Sequence, residues 1–79
     1  MATILIVDDE ESVRRAIAGV LSDGGHRPVL APGADEAEKE IAAAVPDLVL
    51  LDVAMPGRDG LELLERLRVS HPELPVVMM

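Results

Sequence analysis

Continuous apolar runs alternate along this chain with segments of helical periodicity. Thr3-Ile4-Leu5-Ile6-Val7 is a β-branched and leucine run without polar alternation. That pattern predicts a strand buried on both faces, hence a central strand of a parallel sheet. The run ends abruptly at Asp8-Asp9-Glu10-Glu11. Val13, Ile17, Val20 and Leu21 then recur at helical spacing, with Arg14, Arg15 and Ala18 on the other face. Gly24-Gly25 stops that helix as a C-cap pair does. Arg27 to Ala31 predicts a short strand, which Pro28 assigns to a sheet edge. Gly33 opens a second helix with Glu36 three residues on; Ala37, Ile41 and Ala44 form its narrow apolar stripe, and Pro46 closes it. Leu48-Val49-Leu50-Leu51 is a second buried strand, again ending in an acid, Asp52. After the turn-rich Met55-Pro56-Gly57-Arg58-Asp59-Gly60, Asp59 and Glu62 form a capping box for a third helix. Its buried face is predicted to be Leu61, Leu63, Leu64 and Leu67. His71 to Pro75 reads as a loop, and Val76-Val77-Met78-Met79 starts a fourth strand with both methionines in its core.

The resulting order, β-α-β-α-β-α-β, predicts an α/β architecture: a parallel sheet with helices on its faces and right-handed crossovers. Seventy-nine residues allow one domain. With no cysteine, a disulfide framework and a thiolate metal site are both excluded. With no aromatic residue, the core must be aliphatic. Fifteen acidic residues against seven basic ones, a net charge of −8, oppose direct contact with a nucleic-acid backbone. No apolar run approaches the roughly 20 residues that span a bilayer, and Met1-Ala2-Thr3 lacks the basic start of a signal peptide. The chain reads as cytoplasmic, with neither a membrane nor a nucleic-acid partner.

The candidate chemistry sits where the buried strands end. In open parallel α/β sheets, ligands bind at the carboxyl ends of the strands, near the point where strand order reverses. If the strands ending in Asp8-Asp9 and in Asp52 are neighbours, three carboxylates converge on one rim. Like charges that close require a shared proton or a bound cation. With only oxygen ligands on offer, the expected ion is hard, Mg²⁺ before Ca²⁺. Each acid also has a plainer reading. Asp8 or Asp9 can cap the first helix, with Glu11 completing an Asp8 capping box. Asp52 can start a turn by bonding its own backbone. His26 and His71 stand in separate loops without evident partners. Arg14, Arg15 and Arg58 read as solvated.

Ile4-Leu5-Ile6-Val7-Asp8-Asp9-Glu10, the segment from Pro46 to Leu64 and Pro75-Val76-Val77-Met78-Met79 together resemble the receiver domain of bacterial two-component response regulators. The stretch from Asp52 to Met79 looks most like receivers of enhancer-binding transcription activators. The resemblance implies a flavodoxin-like, doubly wound parallel sheet, here with four strands in the order 2-1-3-4 and three helices. It implies that Asp52 is the phosphoacceptor, taking a phosphoryl group from a sensor histidine kinase or a phosphotransfer protein and so switching an output. It also implies Mg²⁺ held by Asp9, Asp52 and the backbone carbonyl of Ala54, with Asp8 acting largely through water.

The family's pattern further includes a Ser or Thr at the end of the fourth strand, a Lys at the end of the fifth and a switch aromatic on the fifth, all expected to lie past Met79. Residues 1–79 are therefore expected to be the N-terminal part of a single receiver domain, without the fifth strand and last helices. Alternatively, a short chain of this kind is expected to form a homodimer through the open sheet edge or by exchanging elements. Two other functions compete with a phosphorylation switch. One is a pseudo-receiver that works by dimerisation alone. The other is an aspartyl-phosphate hydrolase of the haloacid-dehalogenase type, which places a second Asp where this chain has Ala54.

Overall fold

The computed structural model describes residues 1–52 and 60–79. Its elements are β1 (Thr3–Val7), α1 (Glu11–Asp23), β2 (Arg27–Ala31), α2 (Ala34–Ala43), β3 (Leu48–Leu51), α3 (Gly60–Ser70) and β4 (Val76–Met78). All strand pairs are parallel, and the sheet order is β2-β1-β3-β4, as expected. The two runs without polar alternation, β1 and β3, occupy the centre. Pro28 stands on the β2 edge, where a residue without an N–H costs the ladder least.

Strand pleating divides the apolar residues between two faces. Leu5 and Val7 of β1, Ala31 of β2 and Val49 and Leu51 of β3 pack with Ala34, Ala37 and Ile41 of α2 and Leu63 and Leu67 of α3 into one buried cluster. Ile4 and Ile6 alternate with those residues and face the side that carries α1. They are buried, but no residue of α1 is, and Val20 is 72% exposed. On that same face Leu30 and Val77 remain substantially exposed.

The end of α1 confirms the glycine pair. Gly25 N–H donates to Ser22 O and His26 N–H to Leu21 O, with Gly25 at φ +83°. This is a Schellman motif, which needs a left-handed residue at the first position past the cap. His26 has a partner after all: its Nδ1 accepts the Ala2 N–H at 3.1 Å. Asp47 Oδ2 likewise accepts the Thr3 N–H at 2.7 Å, tying the approach to β3 to the start of β1.

Several apolar assignments are corrected. α2 ends at Ala43 rather than at Pro46; Ala44 has turned to extended backbone and is exposed, while Ala34 takes a buried place in the stripe. Leu61 is 54% exposed, because Leu63 and Leu67, one turn apart, define the face of α3 that meets the sheet. Met78, at the end of the edge strand, and Met79, just past it, are exposed instead of sitting in the core. The capping role expected for Asp59 falls outside the described residues.

The same substitution is expected to act with opposite signs at two glycines, one inside α1 and one just past its end. Gly19 lies in the exposed interior of α1 with open space around its α-carbon. Gly19→Ala should stabilise the protein by about 0.8–1 kcal/mol through helix propensity. Gly25→Ala should cost about 1–2 kcal/mol, because its backbone is left-handed. Urea unfolding followed by far-ultraviolet circular dichroism, which needs no aromatic reporter, measures both.

Candidate functional site

The strand order reverses between β1 and β3: β2 lies on one side of this pair and β4 on the other. At such a switch point the crossovers leave in opposite directions and open a crevice at the strands' carboxyl ends. Register then decides what faces it. Val7 pairs with Leu51, so the residues that follow, Asp8 and Asp52, emerge at the same level. The ladder runs one step past the strands: Asp52 N–H donates to Val7 O at 2.9 Å, and Asp8 N–H donates to Ala31 O at 3.2 Å.

One carboxylate oxygen from each of Asp8, Asp9 and Asp52 comes together here, all within 4.8 Å of one another. The three predicted acids are thus a single cluster. Their surroundings differ. Among the described residues, Asp8 is the one buried charged residue, at 5% exposure; Asp52 is half-buried and Asp9 exposed. Burying a carboxylate is unfavourable unless its oxygens are hydrogen-bonded, and Asp8 Oδ1 accepts the Glu10 N–H at 2.9 Å.

That bond also corrects the capping expectation. The residue before α1 is Glu10, which makes no side-chain cap, and Asp8 bonds two residues ahead rather than closing a box with Glu11. Glu11 pairs instead with Arg15 at 2.7 Å on the exposed surface. The solvated reading holds for Arg15 and fails for Arg14. Arg14 is half-buried, and its Nη1 donates to the backbone oxygen of Asp8 at 2.7 Å. The available clue was a cation one turn into the helix that follows the acids, since helical side chains lean toward the N-terminus. Ala54, expected to offer its carbonyl, lies outside the described residues, as do Met55, Pro56, Gly57 and Arg58.

The His71 Nδ1 lies 2.9 Å from Ser70 Oγ, and among the described residues neither histidine belongs to the acidic cluster. A groove of about 600 Å³ between α2 and α3 is lined by Ile41, Leu67 and Val69 among others; it includes none of the three acids. The three acids stand instead at the open rim, an arrangement of oxygen donors suited to a hard cation.

Residues 4–79 match the family model for the response regulator receiver domain. The nitrogen assimilation regulatory protein NtrX of Azorhizobium caulinodans is 49% identical over 78 residues, which cover 96% of this chain and 17% of that protein. A crystal structure of NtrX from Brucella abortus superposes with a TM-score of 0.94 at 49% identity, covering 98% of this chain and 18% of the other. The response regulator protein TrrA of Thermotoga maritima, in complex with Mg²⁺-BeF, gives a TM-score of 0.94 at 33% identity over 99% of this chain and 68% of that one. The chain spans about a sixth of the length of the NtrX proteins it matches.

Three carboxylates this close repel one another when no cation lies among them. Asp9→Asn removes the most exposed of them and should raise stability by about 1 kcal/mol in cation-free buffer. The gain should shrink at high ionic strength. Urea midpoints at low and high salt measure it; a loss of stability would mean that attraction holds the Asp9 carboxylate in place.

Proposed function

The chain belongs to the response regulator receiver domains, and from that membership we propose that Asp52 is its phosphoacceptor, served by a Mg²⁺ site of Asp8, Asp9 and Asp52. The observation that carries this reading is the meeting of three carboxylates from two neighbouring strands at the switch point. The donor set fits the ion, because it is all oxygen and contains no imidazole or thiolate. The Mg²⁺-BeF complex of the similar TrrA protein supports the same choice. The Ala54 carbonyl completes the ligand set on the strength of the family resemblance alone.

The donor is a phosphohistidine on a sensor kinase or phosphotransfer protein. A carboxylate oxygen of Asp52 forms a bond to phosphorus while the phosphorus–nitrogen bond of the donor breaks. The electron pair of that bond returns to the imidazole nitrogen. Carboxylates are competent acceptors of this kind. The charge of the loose transition state spreads over the phosphoryl oxygens, so positioning and electrostatics account for most of the rate. When bound, Mg²⁺ supplies the positive charge that offsets those oxygens.

The protein's own part is placement. Asp52 hangs from the β1–β3 ladder through its N–H bond to Val7, so its carboxylate starts from a rigid element and remains open to solvent. Asp8 is held on both its backbone and its side chain. The resulting acyl phosphate adds negative charge at the rim and biases two conformations of the segments around it, the usual basis of a phosphorylation switch. In this reading the chain acts in the cytoplasm and switches an output.

Incubation with a small phosphodonor, acetyl phosphate, and Mg²⁺ should add one phosphoryl group per chain, read by intact mass spectrometry. Asp52→Asn should abolish the addition, and omission of Mg²⁺ should suppress it. Undiminished labelling of the Asn variant would place the acceptor elsewhere.

A further inference from the structure

We propose that Arg14 is a positioning residue for the acidic rim, clamping the Asp8 carbonyl so that Asp8 and Asp9 are held ready for a divalent cation; this rests on the Mg²⁺ reading above. Arg14 stands in the first turn of α1, where its N–H donates to Glu10 O at 3.1 Å. Its side chain turns back toward the strand, and Nη1 donates to Asp8 O at 2.7 Å, a short charge-assisted bond.

Asp8 is then held at three points. Its N–H goes to Ala31 O, its Oδ1 accepts from Glu10 and its carbonyl accepts from Arg14. The third bond does what the other two cannot. It fixes the peptide plane between Asp8 and Asp9, and with it the direction in which the exposed Asp9 leaves the strand. Outer partners that orient ligands in this way typically carry about 10–100-fold in metal affinity. Arg15, the next residue, carries the same charge but is engaged with Glu11 on the exposed surface. The pair therefore separates a clamp from a general field. Loss of either arginine makes the chain equally more acidic, which by charge alone favours a cation. Only loss of Arg14 releases the carbonyl.

Isothermal titration of the full 79-residue chain with Mg²⁺ alone tests the inference on Arg14→Met, Arg14→Gln, Arg14→Lys and Arg15→Met. Met, Gln and Lys are helix formers close to Arg, so α1 should be retained; circular dichroism checks this. Arg14→Met and Arg14→Gln are expected to weaken Mg²⁺ binding about tenfold, Arg14→Lys to recover part of the loss and Arg15→Met to bind as tightly as the parent or tighter. Amide hydrogen exchange at Glu10, measured without Mg²⁺, should quicken in the first two variants only. Parent-like Mg²⁺ affinity in both Arg14→Met and Arg14→Gln overturns the clamp while leaving the proposed function intact. Failure of the parent chain to bind Mg²⁺ at tens of millimolar overturns the proposed function, and the clamp with it.

Discussion

The pairing of β1 with β3 is the constraint on which the rest of this structure depends. It sets two strands distant in sequence side by side and in parallel, with Val7 opposite Leu51. Because the register is exact to the residue, the acids that follow each strand emerge together. A slip by one residue would turn every side chain of β3 to the opposite face. Val49 and Leu51 would leave the cluster formed with α2 and α3, and the carboxylate of Asp52 would point away from the rim. Apolar burial and the acidic site are thus enforced by the same ladder. The core selects the register, and the register brings the acids together.

The two sides of the sheet contribute unequally. On one, α2 and α3 enclose a continuous aliphatic cluster in which Leu5, Val7, Val49, Leu51 and Leu63 are almost wholly removed from solvent. On the other, α1 buries none of its own residues completely. Directional polar bonds define both of its ends. The Schellman motif closes its C-terminus, while the Asp8–Glu10 and Asp8–Arg14 bonds hold its N-terminus. The polar end lies beside the acids, so the element with the least apolar anchorage is joined to the rim by its most directional contacts.

Much of this was legible in the chain itself. Unbroken apolar runs identified β1 and β3 as central because only a strand covered on both faces tolerates such a run. Pro28 put β2 on an edge, and Gly24-Gly25 marked the end of α1, since both residue types restrict or release the backbone locally. The three acids were legible through their position after buried strands. The errors have a common origin. Leu61, Met78 and Met79 are apolar residues whose burial depends on which neighbour reaches them, and periodicity alone does not report that. Ala44 failed because helix length near a terminus is set by local competition for hydrogen bonds. Arg14 was misread for the complementary reason: a charged residue on a helix looks solvated until the carbonyl it bonds is known.

The amino-acid sequence by itself determined the kind and order of the elements, the aliphatic character of the core and the identity of the acids at the strand ends. These follow from side-chain chemistry and from periodicities only a few residues long. Tertiary structure alone decided that the three carboxylates stand within 4.8 Å of one another and that Arg14 rather than Arg15 turns inward to Asp8. Each of these is a relation between residues that becomes definite only when the sheet's register is set, and the register belongs to no single segment of the chain.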